Sequence, residues 1–223
     1  MASPGLSPIE YRTLNAVVTD RLRAAILSGH LPPGTALNQR DIADQLSVSR
    51  MPVRAAFRTL ELEGLIRGLP RRKAVVVALQ PEDVADIFDI LAALEARAAE
   101  RALPAIGQDD ARRLRDLHDA LRAAPDDAPR LVDLDLELHM AIYQRGGSRH
   151  TLLIQTHRNT VRPYLVGTGF VVRRRRAAES EHERILAAVE AHDAPALAAA
   201  VSAHAHAEGR DLVELLRGMA RPS

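Results

Sequence analysis

Between Leu37 and Ile66 the chain reads LNQRDIADQLSVSRMPVRAAFRTLELEGLI, a pattern of two short helices joined by a tight turn, the second with arginines on one face only. Asn38 is placed to cap the first helix, with Asp41 reinforcing its start. Ile42, Ala43 and Leu46 give that helix an apolar side, and Ser47-Val48 makes the turn. Ser49 is the cap expected for the second helix. Pro52 is tolerated because it falls in the first turn, and Gly64 ends the run. Val53, Phe57 and Leu60 recur at helical spacing and must face a core, while Arg50, Arg54 and Arg58 recur every four residues on another face. A helix with one buried stripe and one arginine stripe suits the DNA major groove, where guanidinium groups bond guanine edges or phosphates.

Taken alone, the segment also fits an ordinary helical hairpin with a solvated basic face. Its flanks weigh against that. Tyr11 to Ser28 reads as a longer amphipathic helix ended by Gly29, and the stretch from His30 to Gly34 as a turn-rich loop. Downstream, Leu65 to Arg67 and Ala74 to Leu79 have strand composition and are joined by Gly68-Leu69-Pro70-Arg71-Arg72-Lys73. Three helices and a hairpin with a basic tip describe a winged helix-turn-helix. Arg71, Arg72 and Lys73 at the tip are placed to touch DNA backbone or minor groove.

These residues resemble the N-terminal pattern of the GntR family of bacterial transcription regulators over about 70 residues, carried above all by VSRMPVR followed by LELEGLI. The resemblance implies that Arg40, Ser49, Arg50, Met51, Pro52 and Arg54 contact or face DNA. Met51 stands where a threonine is common and Lys73 where the wing usually has glycine, so the operator sequence does not carry over.

The 223 residues fit one large domain or two modest ones, and 47% hydrophobic content suffices for real cores. With 3% aromatics and no Trp, those cores must be aliphatic helix packing. The absence of cysteine excludes disulfides and thiolate metal sites. No signal-peptide core and no bilayer-length apolar run is visible, so a cytoplasmic protein without membrane contact is expected. The net charge of +1 hides an asymmetry. Residues 1–80 carry 11 Lys and Arg against 6 Asp and Glu, a net +5; the remainder carries 19 against 23, a net −4. A basic module on an acidic one suggests phosphate binding in the first alone. The expected domains are therefore a winged helix-turn-helix over 1–80 and a helical effector-binding and dimerisation domain over 81–223, with the boundary at Pro81. The fold class expected is mostly α, with an antiparallel bundle of about six helices in the second part. Those helices fall near 82–103, 108–123, 129–145, 150–166, 174–191 and 194–217. The run Arg173 to Arg176 reads as a solvated helix start or loop.

Within the bundle, Asp135 and His139 are four apart and share a helix face. Leu131, Leu134, Leu138 and Ile142 turn that face toward the core. His182 and His204 lie eleven residues before and after Asp193, so a helical hairpin folded there brings them level. His30, His118, His150, His157 and His192 read as loop, surface or helix-end residues, and His206 points elsewhere than His204. Three neutral imidazoles and a carboxylate suit a divalent ion, Zn²⁺ first, with Ni²⁺ or Mn²⁺ as alternatives. The plainer reading is four separately satisfied polar residues.

The C-terminal part resembles the FCD ligand-binding domain of the FadR subgroup of GntR regulators, carried by LAALEARAAERA, DLELHMAI, EHERILAAVEAHDAPAL and VSAHA. The resemblance implies that Asp135, His139, His182 and His204 bind a divalent metal, which helps hold a small carboxylate effector. Leu91 stands where many members have Arg, and Ser148 near where Asn is frequent, so the effector's identity does not carry over. Arg97, Arg158 and Arg162 are the candidates to pair with a second charge on that acid.

The function expected is sequence-specific regulation of transcription by a homodimer on double-stranded DNA with an inverted-repeat operator. Two other readings stand beside it: a metal-dependent hydrolase, and a DNA-binding protein whose bundle only dimerises. Hydrolysis needs a general base near the metal, and no second carboxylate or nucleophile stands at useful spacing, so no enzyme is expected.

Overall fold

The computed structural model describes residues 13–70 and 73–219. Tyr11, Arg71 and Arg72, named above, lie outside the described residues. The described residues form nine α-helices and one three-stranded sheet.

The N-terminal part contains α1 (Leu14–Leu27), β1 (Ala36–Asn38), α2 (Gln39–Gln45), α3 (Arg50–Leu62), β2 (Ile66–Leu69) and β3 (Lys73–Val76). Local chemistry sets the element ends. Thr13 accepts a hydrogen bond from the Ala16 amide at the start of α1, and Asn38 accepts one from the Arg40 amide at the start of α2. Ser49 occupies the N-cap of α3 as expected, yet its side chain makes no capping hydrogen bond. After Leu62 comes the C-cap Glu63 and then Gly64 at φ +72°, which lets the chain leave the helix.

The sheet differs from the sequence expectation in two ways. β1 was not foreseen; three residues are too few to show alternation, yet they pair antiparallel with β3, giving the order β1-β3-β2. The wing hairpin is also shifted, because Gly68, Leu69 and Lys73 lie within paired strands and not in the tip. Val77 to Leu79 continue past the strand. The Leu79 amide donates to the hydroxyl of Tyr164 in the helical part.

The remaining helices are α4 (Pro81–Ala102), α5 (Gln108–Ala123), α6 (Ala128–Tyr143), α7 (Ser148–Gly167), α8 (Phe170–Glu190) and α9 (Ala194–Met219). Short 3₁₀ turns follow α4 and α6. α8 starts four residues earlier than expected. Gly169, at φ +64°, turns the chain in one step, so the arginine run lies inside the helix. That corrects its reading as a solvated start: Arg174 is buried and Arg175 half-buried.

Two apolar cores result. One gathers buried residues from Val18 to Val76, the other from Val84 to Val213. α4 packs chiefly along α9, at a close approach where Gly209 faces Phe88. α6, α7 and α8 complete the bundle around a polar interior, and α5 packs outside on α6 and α8. Among the described residues no helix is long and apolar enough to cross a membrane.

Candidate metal centre and DNA-reading face

α3 shows the two faces its sequence demands. Val53, Ala56, Phe57 and Leu60 are buried, while Arg50, Met51, Arg54 and Arg58 are exposed. The Arg54 guanidinium lies 3.0 Å from the Met51 sulfur, so the two exposed side chains form one surface. Pro52 departs from the DNA-facing expectation: it is buried and shapes the helix start from inside. Arg40 is exposed on α2, 3.8 Å from Asp44, and Lys73 is exposed on β3. Arg23 clamps Glu63 at 2.6 Å and 2.9 Å, tying α1 to the exit of α3.

In the bundle α6 supplies Asp135 and His139, α8 supplies His182 and α9 supplies His204. One ligating atom from each lies within 4.8 Å of all the others. His139 Nε2 stands 3.2 Å from His182 Nε2, and Asp135 Oδ1 lies 3.3 Å from His182 Nε2 and 4.0 Å from His139 Nε2. All three imidazoles are buried, and Asp135 is partly so.

The surrounding hydrogen bonds set the tautomers. His204 Nδ1 donates to Glu181 Oε2 at 2.7 Å, which leaves the Nε2 lone pair facing inward. The Tyr143 hydroxyl donates to Glu95 and so accepts from His139 Nδ1 at 3.2 Å, leaving the His139 Nε2 lone pair turned inward toward His182 Nε2. His204 Nε2 and His182 Nδ1 are buried with no hydrogen-bond partner among the described residues.

Behind this cluster lies a buried ion network. Arg158 donates to both oxygens of Glu95 at 2.7 Å and 2.8 Å and to Glu208 at 2.5 Å. Burial works against the Arg158 charge, but Glu208 and Glu95 outweigh it and hold the guanidinium protonated. Burial likewise pushes the Glu208 carboxyl up, and Arg158 more than reverses this, keeping it ionised. At the cluster itself burial lowers His139 and His182 well below the usual imidazole range. Burial and the nearby Glu208 charge raise Asp135 from 3.8 to about 6.

The residues fit a divalent ion. Three imidazoles and one carboxylate converge, two imidazoles have their outer nitrogen fixed, and one inward nitrogen has no partner. Of the arginines expected near an effector, Arg158 is adjacent but engaged, and Arg162 pairs with Asp133 at 2.8 Å. Arg97 lies elsewhere: it is exposed on the outer face of α4 and paired with Glu100.

His118 corrects the sequence reading. It is fully buried on α5, with its ring edge-on to His182 at 5.8 Å between centroids. Both its nitrogens lack aligned partners among the described residues, although Nδ1 stands 3.4 Å from a Glu183 oxygen. The signal was present, since Leu114, His118 and Leu121 repeat at core spacing.

Comparison with known proteins agrees with both halves. Residues 14–76 match the family described as "Bacterial regulatory proteins, gntR family", and residues 86–207, more than half the chain, match the "FCD domain". The gluconate operon transcriptional repressor of Bacillus subtilis is 43% identical over 84 residues, covering 38% of this chain and 34% of that protein. An HTH-type transcriptional regulator of Agrobacterium vitis is 40% identical over 80 residues, covering 36% and 47%. The chain thus spans half or less of the length of these two relatives. The Nta operon transcriptional regulator of Aminobacter aminovorans is 26% identical over 193 residues, covering 86% and 91%. Among solved structures, Escherichia coli McbR/YncC shares the fold with a TM-score of 0.76 at 20% identity, covering 95% of this chain and 100% of that one. These relatives are named as regulators of transcription, not as enzymes. The chain belongs to the bacterial gntR family of regulatory proteins, in the group that carries an FCD domain.

Proposed function

We propose that this protein is a cytoplasmic transcription regulator that binds an inverted-repeat operator as a homodimer. A small organic acid, held at a divalent metal in the bundle, sets its grip on DNA. The observation that carries the sensing part is the convergence of Asp135, His139, His182 and His204 ligand atoms within 4.8 Å in a buried interior. Zn²⁺ fits this nitrogen-rich set best, with Ni²⁺ and Mn²⁺ as alternatives. When bound, the ion supplies a Lewis-acidic contact for a carboxylate. Glu181 and Tyr143 orient the imidazoles, and Glu95, Arg158 and Glu208 keep the wall behind them rigid.

On the DNA side, Arg50 and Arg54 read bases or adjacent phosphates, while Arg40, Met51 and Ser49 border that face. Lys73, together with Arg71 and Arg72 of the wing, adds salt-dependent backbone affinity. One recognition helix reads only a few base pairs, so specific binding calls for a two-fold pair of them.

The test combines His182→Ala with His204→Ala. Elemental analysis of parent protein purified without a metal-affinity tag should find bound metal, and the double variant should have lost it. Operator binding by the variant should no longer respond to organic acids that shift the parent. A double variant that retains the metal, or that loses it and responds unchanged, overturns the proposal.

A further inference from the structure

We infer that the effector is a monocarboxylate with a short apolar body, and that the pocket discriminates against dicarboxylates. The inference rests on the sensing function proposed above.

A pocket with about 40 Å³ of room opens beside Asp135 and His204. That is roughly three water-sized positions, enough for the body of a small acid whose carboxylate sits on the metal. Leu121, Leu131, Phe170, Val171 and Ala178 supply most of its wall. Besides Asp135 itself, the charged wall residues are Arg174, Arg175, Glu179 and Glu208.

The two guanidinium groups look suited to a second ligand carboxylate, but the chain already engages them. Arg174 donates to Asp211 at 2.7 Å and to both oxygens of Glu181 at 2.8 Å. Arg175 donates to Asp126 at 2.8 Å and to the carbonyls of Leu121, Arg122 and Ala124 at 2.7–2.9 Å. Arg158, behind Glu208, is held by two carboxylates. Recruiting Arg158 would leave the buried Glu208 carboxylate unpaired, which costs more than a new surface-like pair returns, and recruiting Arg174 would break its bonds to Asp211 and Glu181, the carboxylate that orients His204. Recruiting Arg175 would strip the carbonyls that end α5.

The remaining charges on the wall are negative. A second anionic end would therefore face Glu208 and Glu179 or apolar side chains, with no unengaged cation except the metal. A zwitterion fares no better, because Glu208 is committed to Arg158 and Glu179 lies 3.7 Å from Arg175. A monocarboxylate gives its only charge to the metal and its body to Leu121, Leu131 and Phe170.

The test is calorimetric titration of the zinc-loaded full chain with isovalerate, succinate, glutarate and valine. Isovalerate should bind about tenfold or more tighter than the other three. Its affinity should fall about tenfold or more in metal-free protein. Leu121→Ala, which removes part of the apolar wall, should shift the preference toward a monocarboxylate longer by a carbon or two. Tighter binding of succinate, glutarate or valine overturns the ligand class but leaves the sensing function standing. Zinc uptake with no binding of any of the four acids overturns both. An unchanged chain-length preference in Leu121→Ala removes this pocket as the ligand's seat.

Discussion

At the scale of single residues, burial tunes the cluster in two opposed directions. His139 and His182 titrate well below 6.5 and Asp135 at about 6 instead of 3.8. For the two imidazoles, the unfolded chain takes up protons that the folded chain refuses. Their contribution to stability is full above about 6.5 and is lost as pH falls toward their folded values. For Asp135 the folded chain holds a proton that the unfolded chain releases. Its contribution is full below its ordinary value and is lost as pH rises through about 6. At neutral pH the metal-free protein thus carries an ionised Asp135 in a site that disfavours it, and a cation would offset that cost. Asp135→Asn should therefore stabilise the metal-free protein at pH 7.5 by roughly 2–3 kcal/mol. The gain should shrink at pH 5, where the parent carboxyl is largely protonated, and metal binding should be lost at both. Chemical denaturation at the two pH values reads this; an equal gain at both would show that the Asp135 charge is not what the site resists.

At the scale of elements, the helices were legible because their ends carry strong local signals. Asn38 caps α2, Gly64 takes positive φ just past α3, and Pro81 opens α4. Less legible were features decided by partners distant in sequence. β1 exists only because β3 lies beside it, and Pro52 is buried because the core reaches the first turn of α3. The cluster of Asp135, His139, His182 and His204 was legible from helical spacing and the symmetric hairpin. The engaged state of Arg158, Arg162 and Arg174 was not, since Arg158 reaches Glu95 on α4 and Glu208 on α9, Arg162 reaches Asp133 on α6 and Arg174 reaches Asp211 on α9, elements that spacing alone does not bring together. The α4–α9 contact is another such case. A Cβ at Gly209 would stand 2.5 Å from Phe88 Cβ and 2.7 Å from its Cγ, and both are near the backbone and cannot swing away. Gly209→Ala should therefore force the helices apart and cost about 1–3 kcal/mol despite the better helix propensity of alanine. A melting temperature equal to or above the parent's would mean that the two helices part without strain.

At the scale of the whole molecule, α7 is the element shared by the buried histidine cluster's surroundings and the N-terminal part. Its Arg158 joins Glu95, which is bonded to Tyr143 and through it to His139. Less than two turns further on, Tyr164 accepts a hydrogen bond from the Leu79 amide and donates to the Val77 carbonyl, just past the wing strand. Between them Thr160 lies against Gly64 at the exit of the recognition helix, where a Cβ would stand 3.7 Å from its hydroxyl. α1 also packs on α7. A ligand shifts DNA affinity only if it favours one placement of the recognition helices over another, so the coupling must cross contacts of this kind. Tyr164 is the polar contact that can be removed without emptying space. Tyr164→Phe should keep metal content and intrinsic operator affinity within about twofold of the parent, because neither site loses a contacting group. It should reduce the change in operator affinity caused by the organic acid by about threefold or more, a sizeable part of a typical coupling. Operator titrations with and without the acid measure this directly. A response as large as the parent's would mean that the signal passes through α1, or between subunits, and not through the tyrosine bridge.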